Sequence, residues 1–295
     1  MKLLLTLLVR DEEDIIEENI RFHLNQGVDF IIVTDNNSVD STPKILKSYE
    51  QKGVLHIINE PQDDYSQSEW VTRMAQLAYK EYNADWVINS DADEFWWPKE
   101  GNLKETFQKI PKDISVLEIN RHDFIPLIDL EKPFYQRMIY KKAVSINHLG
   151  QALPPKVCHR GFGDVIIKQG NHLLIHPTNI STIKTDLIEI LHFPMRSFKQ
   201  FENKIKLGGA AYERNTKLNK AVGGTWRRLY ENYQAGTLEG FYKKGLFKQT
   251  EIDKLIQIKE LTVDTRLRDY LIEHQETNQN KDSLITSFLK NLNPF

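Results

Sequence analysis

The sequence predicts an α/β fold, with a mostly parallel central sheet flanked by helices and a helical C-terminal extension. Three observations carry that expectation. Short apolar runs alternate with helical patterns through the first half of the chain. The first of those runs is almost uninterrupted, as a strand covered on both faces requires. Beyond Ser197 helical apolar stripes dominate.

Leu3 to Val9 reads as the first strand. Lys2 followed by leucines resembles a signal peptide, but Arg10-Asp11-Glu12-Glu13-Asp14 follows at once and no small-residue cleavage site appears. The first helix follows Asp11 or Asp14 as cap, carries Ile16, Ile20, His23 and Leu24 on one face, and stops at Gly27. Phe30 to Thr34 is the second strand; Ser41-Thr42-Pro43 opens a helix that ends near Gly53. Val54 to Ile58 is the third strand. A helix from Ser68-Glu69 through Met74, Leu77, Ala78 and Tyr82 leads to the strand Trp86 to Asn89. This βαβαβαβ order implies a doubly wound sheet with ligands at the carboxyl ends of its strands, where Asp35 and Asp91 sit. From Ile114 to about His192 strands with long loops are expected, including Ser115–Ile119 and Val165–Ile167.

With 295 residues the chain can bury a sizeable core. A net charge of -2 with 27% charged residues gives no pull toward nucleic acid, and none is expected as a partner. Cys158 is the sole cysteine, which rules out an intramolecular disulfide and any multi-cysteine zinc site and fits a reducing, cytoplasmic setting. No G-x-G-x-x-G follows the first strand and no G-x-x-x-x-G-K-[ST] occurs, so a dinucleotide enzyme and a Walker-type kinase lose support.

The most informative stretch is Ser90-Asp91-Ala92-Asp93-Glu94-Phe95-Trp96-Trp97, an apolar strand running into three carboxylates. Strand alternation puts Asp91 and Asp93 on one side of the pleat and Glu94 on the other, so that the two aspartates share a divalent ion. Hard oxygen ligands suit Mg²⁺ or Mn²⁺, which leaves positions open for nucleotide phosphates. An acidic turn after a strand is the plainer alternative.

These residues resemble a family 2 glycosyltransferase of the GT-A fold, in the subgroup with an N-terminal Leu-Val-Arg-Asp-Glu and an Asp-Ala-Asp-Glu-Phe metal motif. The resemblance covers about the first 210 residues. It implies a GT-A domain over 1–210, with a nucleotide-sugar-binding half at 1–97 and an acceptor half at 98–210, then an extension at 211–295 with a polar linker near 273–283. Arg10, Asp11 and Glu12 would border the nucleotide, and Asp35 and Asn37 would hold the base, although Asn36 stands where the family has a second acid. Arg73 would lie near the diphosphate or base, unless it is an ordinary surface arginine. Asp91 would touch the ribose or the metal-bound water, and Asp93 would ligate the metal. His192 would be a further metal ligand, with His176 its rival and a core histidine the plainer reading.

Transfer with inversion needs a general base, for which Asp123, Asp164 and Glu94 are the candidates. Lys156, His159 and Arg160, with Gly161 and Gly163, form either an anion-binding cluster or a solvated loop. Trp96 and Trp97 could stack on a sugar or anchor the packing. Gly208-Gly209 allows close approach of a ligand or of another helix. Leu284, Ile285, Phe288, Leu289 and Leu292 form a stripe that docks on the body, a partner or a membrane surface, the last making a peripheral contact. The function so implied is a hexosyltransferase-like, metal-dependent glycosyltransferase. It would move a sugar from a nucleotide donor to a glycan or lipid-linked acceptor in cell-surface polysaccharide or glycolipid synthesis. A nucleotidyl- or phosphotransferase, or a noncatalytic glycan-binding module, is the alternative.

Overall fold

The computed structural model describes residues 1–127, 131–146, 150–178, 180–219 and 222–275. Its first half follows the predicted order: β1 (Leu3–Val9), α1 (Ile16–Asn25), β2 (Phe30–Asp35), α2 (Thr42–Gln51), β3 (Leu55–Asn59), α3 (Gln67–Lys80) and β4 (Trp86–Asp91). Then come β5 (Glu94–Pro98), α4 (Leu103–Gln108), β6 (Val116–Asp123), α5 (Phe134–Arg137), β7 (Tyr140–Lys142), β8 (Lys156–Arg160), β9 (Ile166–Ile167), β10 (Leu174–Ile175) and β11 (Thr182–His192). The last part holds α6 (Phe198–Arg214), α7 (Gly224–Gln234), α8 (Leu238–Lys244), α9 (Gln249–Gln257), β12 (Leu261–Val263) and a helix over 266–275.

The main sheet runs β3-β2-β1-β4-β8-β6-β11-β5. β3, β2, β1 and β4 are mutually parallel, β8 is antiparallel to both its neighbours, β6 and β11 are parallel, and β5 closes the edge antiparallel to β11. The register aligns Val9 with Asp35 and Leu8 with Asp91, so the carboxyl ends of β1, β2 and β4 meet at one rim. That rim is where a doubly wound sheet binds ligands.

β1 shows why its run is continuous. Leu3, Leu5, Leu7 and Val9 enter the larger core with α1, whereas Leu4 packs on the opposite face against Ile32, Val71, Met74 and Val87. Each such leucine contributes roughly 1.5–3 kcal/mol by leaving water. Gly27 ends the first helical segment at φ 88°, where an added Cβ would meet the Lys104 side chain.

Local expectations fail at the caps. The N-cap of α1 is Ile15 without a side-chain bond, because the Asp14 carboxylate is drawn away to Arg196. At α2 Ser41 does not cap; Asp40 Oδ1 accepts from the Thr42 N–H at 2.8 Å instead. Trp96 and Trp97 are packing anchors rather than sugar platforms. The Trp96 indole is buried and donates to Ser90 Oγ at 3.0 Å, and Trp97 lies between the Phe22 ring and the Arg266 guanidinium.

The chain beyond 210 has an apolar cluster around Leu229, Leu238 and Tyr242 and is also tied back to β7 and to the main core. A boundary at 210 would cut α6, β12 pairs with β7, and Leu267 and Leu271 enter the main core. Gly208 and Gly209 face Trp226 and Tyr230, so helix packing, not a ligand, explains them. Residues 276–283 of the expected linker and the stripe at 284–292 lie outside the described residues. Among the described residues no helix is long and apolar enough to cross a membrane.

His23 makes the fold acid-sensitive. Its Nδ1 bonds the Asn19 carbonyl at 2.9 Å and its Nε2 accepts from the Trp96 N–H at 3.3 Å, so a second ring proton would point at a donor. Burial pushes its pKa down to about 4, and that of the buried His159 likewise to about 4. Between that value and the ordinary 6.5 the unfolded chain binds more protons than the native one. The contribution of these two rings is therefore full above pH 6.5 and falls as pH drops, by up to about 1.4 kcal/mol per pH unit for each, whereas His192, raised to about 9, contributes in the opposite sense. The change in urea midpoint between pH 7 and pH 5, compared in the parent and in His23→Gln, measures the His23 share; an equal change in both would show that this ring is not held neutral.

Candidate active site

The strand β4 ends at Asp91, Ala92-Asp93 makes the turn, and Glu94 already belongs to β5. Strand alternation therefore stops at Asp91, and the expected partition of the three carboxylates is corrected. Asp91 and Glu94 share one cation, Lys156, whose Nζ lies 2.6 Å from Asp91 Oδ2 and 2.9 Å from Glu94 Oε1. Asn171 Nδ2 donates to the other Asp91 oxygen at 3.3 Å, and Arg121 stands 3.5 Å from Glu94. Burial alone would raise the Asp91 carboxyl, but Lys156 holds it below its usual value.

Asp93 points elsewhere and is only 2% exposed. Its Oδ2 accepts from Lys204 Nζ at 2.6 Å, and its Oδ1 faces His192 Nε2 at 3.6 Å. The imidazole is oriented from behind, with Nδ1 bonded to Asp123 Oδ1 at 2.7 Å. Burial opposes charge on all three groups. The nearby Lys204 and His192 nevertheless hold Asp93 well below the carboxylate range, the bond to His192 lowers Asp123, and Asp93 and Asp123 raise His192 to about 9.

Glu12, buried at the start of the loop after β1, completes the cluster. Arg196, fully buried, binds Glu12, reaches both Asp14 oxygens at 2.8 Å and donates to the Phe193 carbonyl at 3.1 Å. Burial raises the Glu12 carboxyl in spite of Arg196 and Lys204, the latter 3.8 Å away.

The neighbouring rim is a polar network. Arg10 Nη1 bonds Asp63 at 2.6 Å and Asn36 at 3.4 Å. Asp35 Oδ1 accepts the Ser38 N–H at 3.1 Å, and Asn37, at φ 59°, donates to the Pro61 carbonyl at 3.1 Å. Asn36 donates to the carbonyls of Glu60 and Gln62 at 3.0 and 2.6 Å, two bonds an aspartate could not make, which accounts for the amide where a second acid was expected. Arg73 bonds Glu60 at 2.9 Å and so joins this network. Asp11, at φ 54°, accepts from the Val39 N–H at 2.7 Å and from Asn203 of α6 at 3.0 Å, and thus clamps loops together.

Other candidates fall away from the rim. Because β8 runs antiparallel to β4, pairing Cys158 with Ile88 and Arg160 with Trp86, the chain after Arg160 emerges at the opposite end of the sheet. Asp164 is exposed there and paired with His176, so neither the base nor the rival metal ligand is delivered to Asp93. The same reversal dissolves the expected basic cluster: Lys156 faces the rim, whereas His159 is buried and Arg160 covers Trp86. Glu94 is fully buried beneath Lys156, with no open face toward an acceptor.

Among the described residues no group of three histidine, cysteine, aspartate or glutamate side chains is arranged to hold a metal. The predicted trio of Asp91, Asp93 and His192 is not assembled, since Asp91 is engaged by Lys156 and Asn171. Asp93 and His192 do fit as a pair. A histidine anchored at Nδ1 by a carboxylate, with Nε2 turned to a second carboxylate, is the way proteins prepare an imidazole for a metal.

The profile of glycosyltransferase family 92 matches residues 7–161, slightly more than half of the chain. The chain belongs to glycosyltransferase family 92. The motifs resembled family 2; the match is to family 92, and this family 92 chain is a glycosyltransferase with a mixed, mostly parallel α/β sheet. No curated protein matches it significantly. Among solved structures, S. aureus TarS 1-349 in complex with UDP-GlcNAc is 14% identical over 80% of this chain and 73% of that one, with a TM-score of 0.42. The Mycobacterium tuberculosis glucosyl-3-phosphoglycerate synthase, in complex with Mn²⁺, UDP and glucosyl-3-phosphoglycerate, is 18% identical over 41% of this chain and 44% of that one, with a TM-score of 0.31. Neither likeness is close enough to transfer a ligand. His192, Arg196 and Lys204 lie beyond the matched residues of the family 92 enzyme, yet they meet Glu12 and Asp93 within them.

Proposed function

We propose that this glycosyltransferase moves a sugar, with inversion, from a nucleoside diphosphate donor bound at the β1, β2 and β4 rim to a hydroxyl of a glycan or lipid-linked acceptor, with help from a divalent ion. The observation that carries this reading is the Asp93–His192–Asp123 chain at the end of β4. Asp93 and His192 would hold Mn²⁺ or Mg²⁺, which when bound neutralises charge on the departing diphosphate. Asp123 keeps the imidazole turned to Asp93. Of the three carboxylates considered as base, it is the one bonded to His192, which suits it to orient that ring. Lys156 and Asn171 fix Asp91 where it can meet the donor ribose. Arg10, Asp35, Asn37 and Arg73 belong to the network proposed to receive the base. Inversion and a role in surface polysaccharide or glycolipid synthesis rest on the motif resemblance.

Thermal unfolding with UDP, GDP, CDP and dTDP, each with Mn²⁺ and with EDTA, tests the donor site, because a ligand of the native state raises the midpoint. One diphosphate is expected to stabilise by about 2–3 kcal/mol near 100-fold excess over Kd, with the effect lost in EDTA. No stabilisation by any of the four would overturn the reading.

A further inference from the structure

We propose that Lys204 is a diphosphate-binding residue of the donor site, held by Asp93 in the free protein and released to the phosphates when the donor and its divalent ion arrive. This inference rests on the donor site proposed above. Asp93 divides its oxygens between two partners, Oδ2 on the Lys204 ammonium at 2.6 Å and Oδ1 toward the His192 imidazole at 3.6 Å. A divalent ion held by Asp93 and His192 brings like charge against the Lys204 ammonium, which must then leave or compete.

Lys204 is the cation in this cluster that can move. Arg196 is fully buried and fixed by bonds to Glu12, Asp14 and a carbonyl. Lys156 is equally buried between Asp91 and Glu94. The Lys204 side chain is 26% exposed on a flexible four-carbon stem, and its second partner, Glu12, is a loose 3.8 Å away. Its place on α6 is secured independently: Asn203 bonds Asp11 at 3.0 Å, and Arg214 at the far end of the helix bonds Asp63 at 2.5 Å. The helix therefore stays over the rim while the ammonium turns, and an ammonium freed from Asp93 finds its best new partners in phosphate oxygens.

Two binding measurements with opposite expected signs test this. Binding of Mn²⁺ alone, followed by loss of the free-ion electron paramagnetic resonance signal, is expected to tighten several-fold in Lys204→Met, because the ion no longer displaces an ammonium. Binding of UDP, GDP, CDP or dTDP in the presence of Mn²⁺, by calorimetry, is expected to weaken by about tenfold or more for the diphosphate the parent prefers, as loss of a charge-assisted bond does. Lys204→Arg should retain most of the diphosphate affinity. Tighter Mn²⁺ with unchanged diphosphate binding would make Lys204 a competitor only and overturn the inference, as would unchanged Mn²⁺ binding. If Lys204→Met does not fold, Lys204→Gln is judged by the same two signs. A parent that binds none of the diphosphates defeats the donor site itself, a result distinct from a parent and variant that bind alike.

Discussion

Asp93→Asn is expected to lower turnover by at least about 10³-fold while leaving the protein folded. The amide keeps the shape of the side chain but loses the charge that His192 and Lys204 face. Each of those cations has another recourse. His192 loses the main influence that keeps it protonated, with Asp123 still holding Nδ1, and Lys204 is partly exposed beside Glu12. The fold therefore tolerates the change, and the loss falls on the chemistry. Donor hydrolysis and transfer, measured beside circular dichroism and a urea midpoint, separate the two. Turnover equal to the parent's would remove Asp93 from the mechanism.

Lys156→Met is expected to destabilise the fold by about 3–5 kcal/mol, the usual result of breaking a buried ion pair from one side. Lys156 has no exposure, and it stands between Asp91 and the equally buried Glu94. Without the ammonium, the Glu94 carboxylate retains, among the described residues, Arg121 at 3.5 Å and the Asp91 N–H. Adding Glu94→Gln to the variant removes the stranded charge and should recover a good part of the loss. Urea unfolding of the parent, both single variants and the double variant measures the coupling. If Lys156→Met costs less than about 1 kcal/mol, Asp91 and Glu94 do not depend on it.

The parts of the fold legible in the sequence are those where one physical rule acts alone. β1 to β4 follow from apolar runs covered on both faces, and the strand-end positions of Asp35 and Asp91 follow from the parallel order. Asp93 was legible as a ligand candidate, but not its direction, because the pleat ends at Asp91 and a turn decides the rest. Asp164 was misplaced for a similar reason: the antiparallel run of β8 is set by pairing with β4 and β6, which no local pattern announces. The cations are the least legible group. Arg196 and Lys204 come from the loop after β11 and from α6, and in a sequence each is an ordinary basic residue until the fold brings a buried carboxylate to it; Lys156 of β8 stood out only with the wrong companions, His159 and Arg160. Arg196 left one trace, its position four residues after His192, but spacing alone does not distinguish it from a surface arginine.

The place of β11 in the sheet sets the order in which the protein is finished during synthesis. β11 lies between β6 and β5, and it is the strand on which β5 pairs. Until residues 182–192 leave the ribosome, β5 has no neighbour, β6 has an open edge, and the Asp93 carbonyl lacks the Phe193 N–H that ties it down at 2.9 Å. A nascent chain carrying every residue of the family match thus has an incomplete sheet, and its Asp93 turn, though bonded by Asn19, lacks the tie from Phe193. Such open edges invite pairing with other chains. The strand that completes the main sheet is also the one that brings His192 beside Asp93, so both wait on the same stretch of chain.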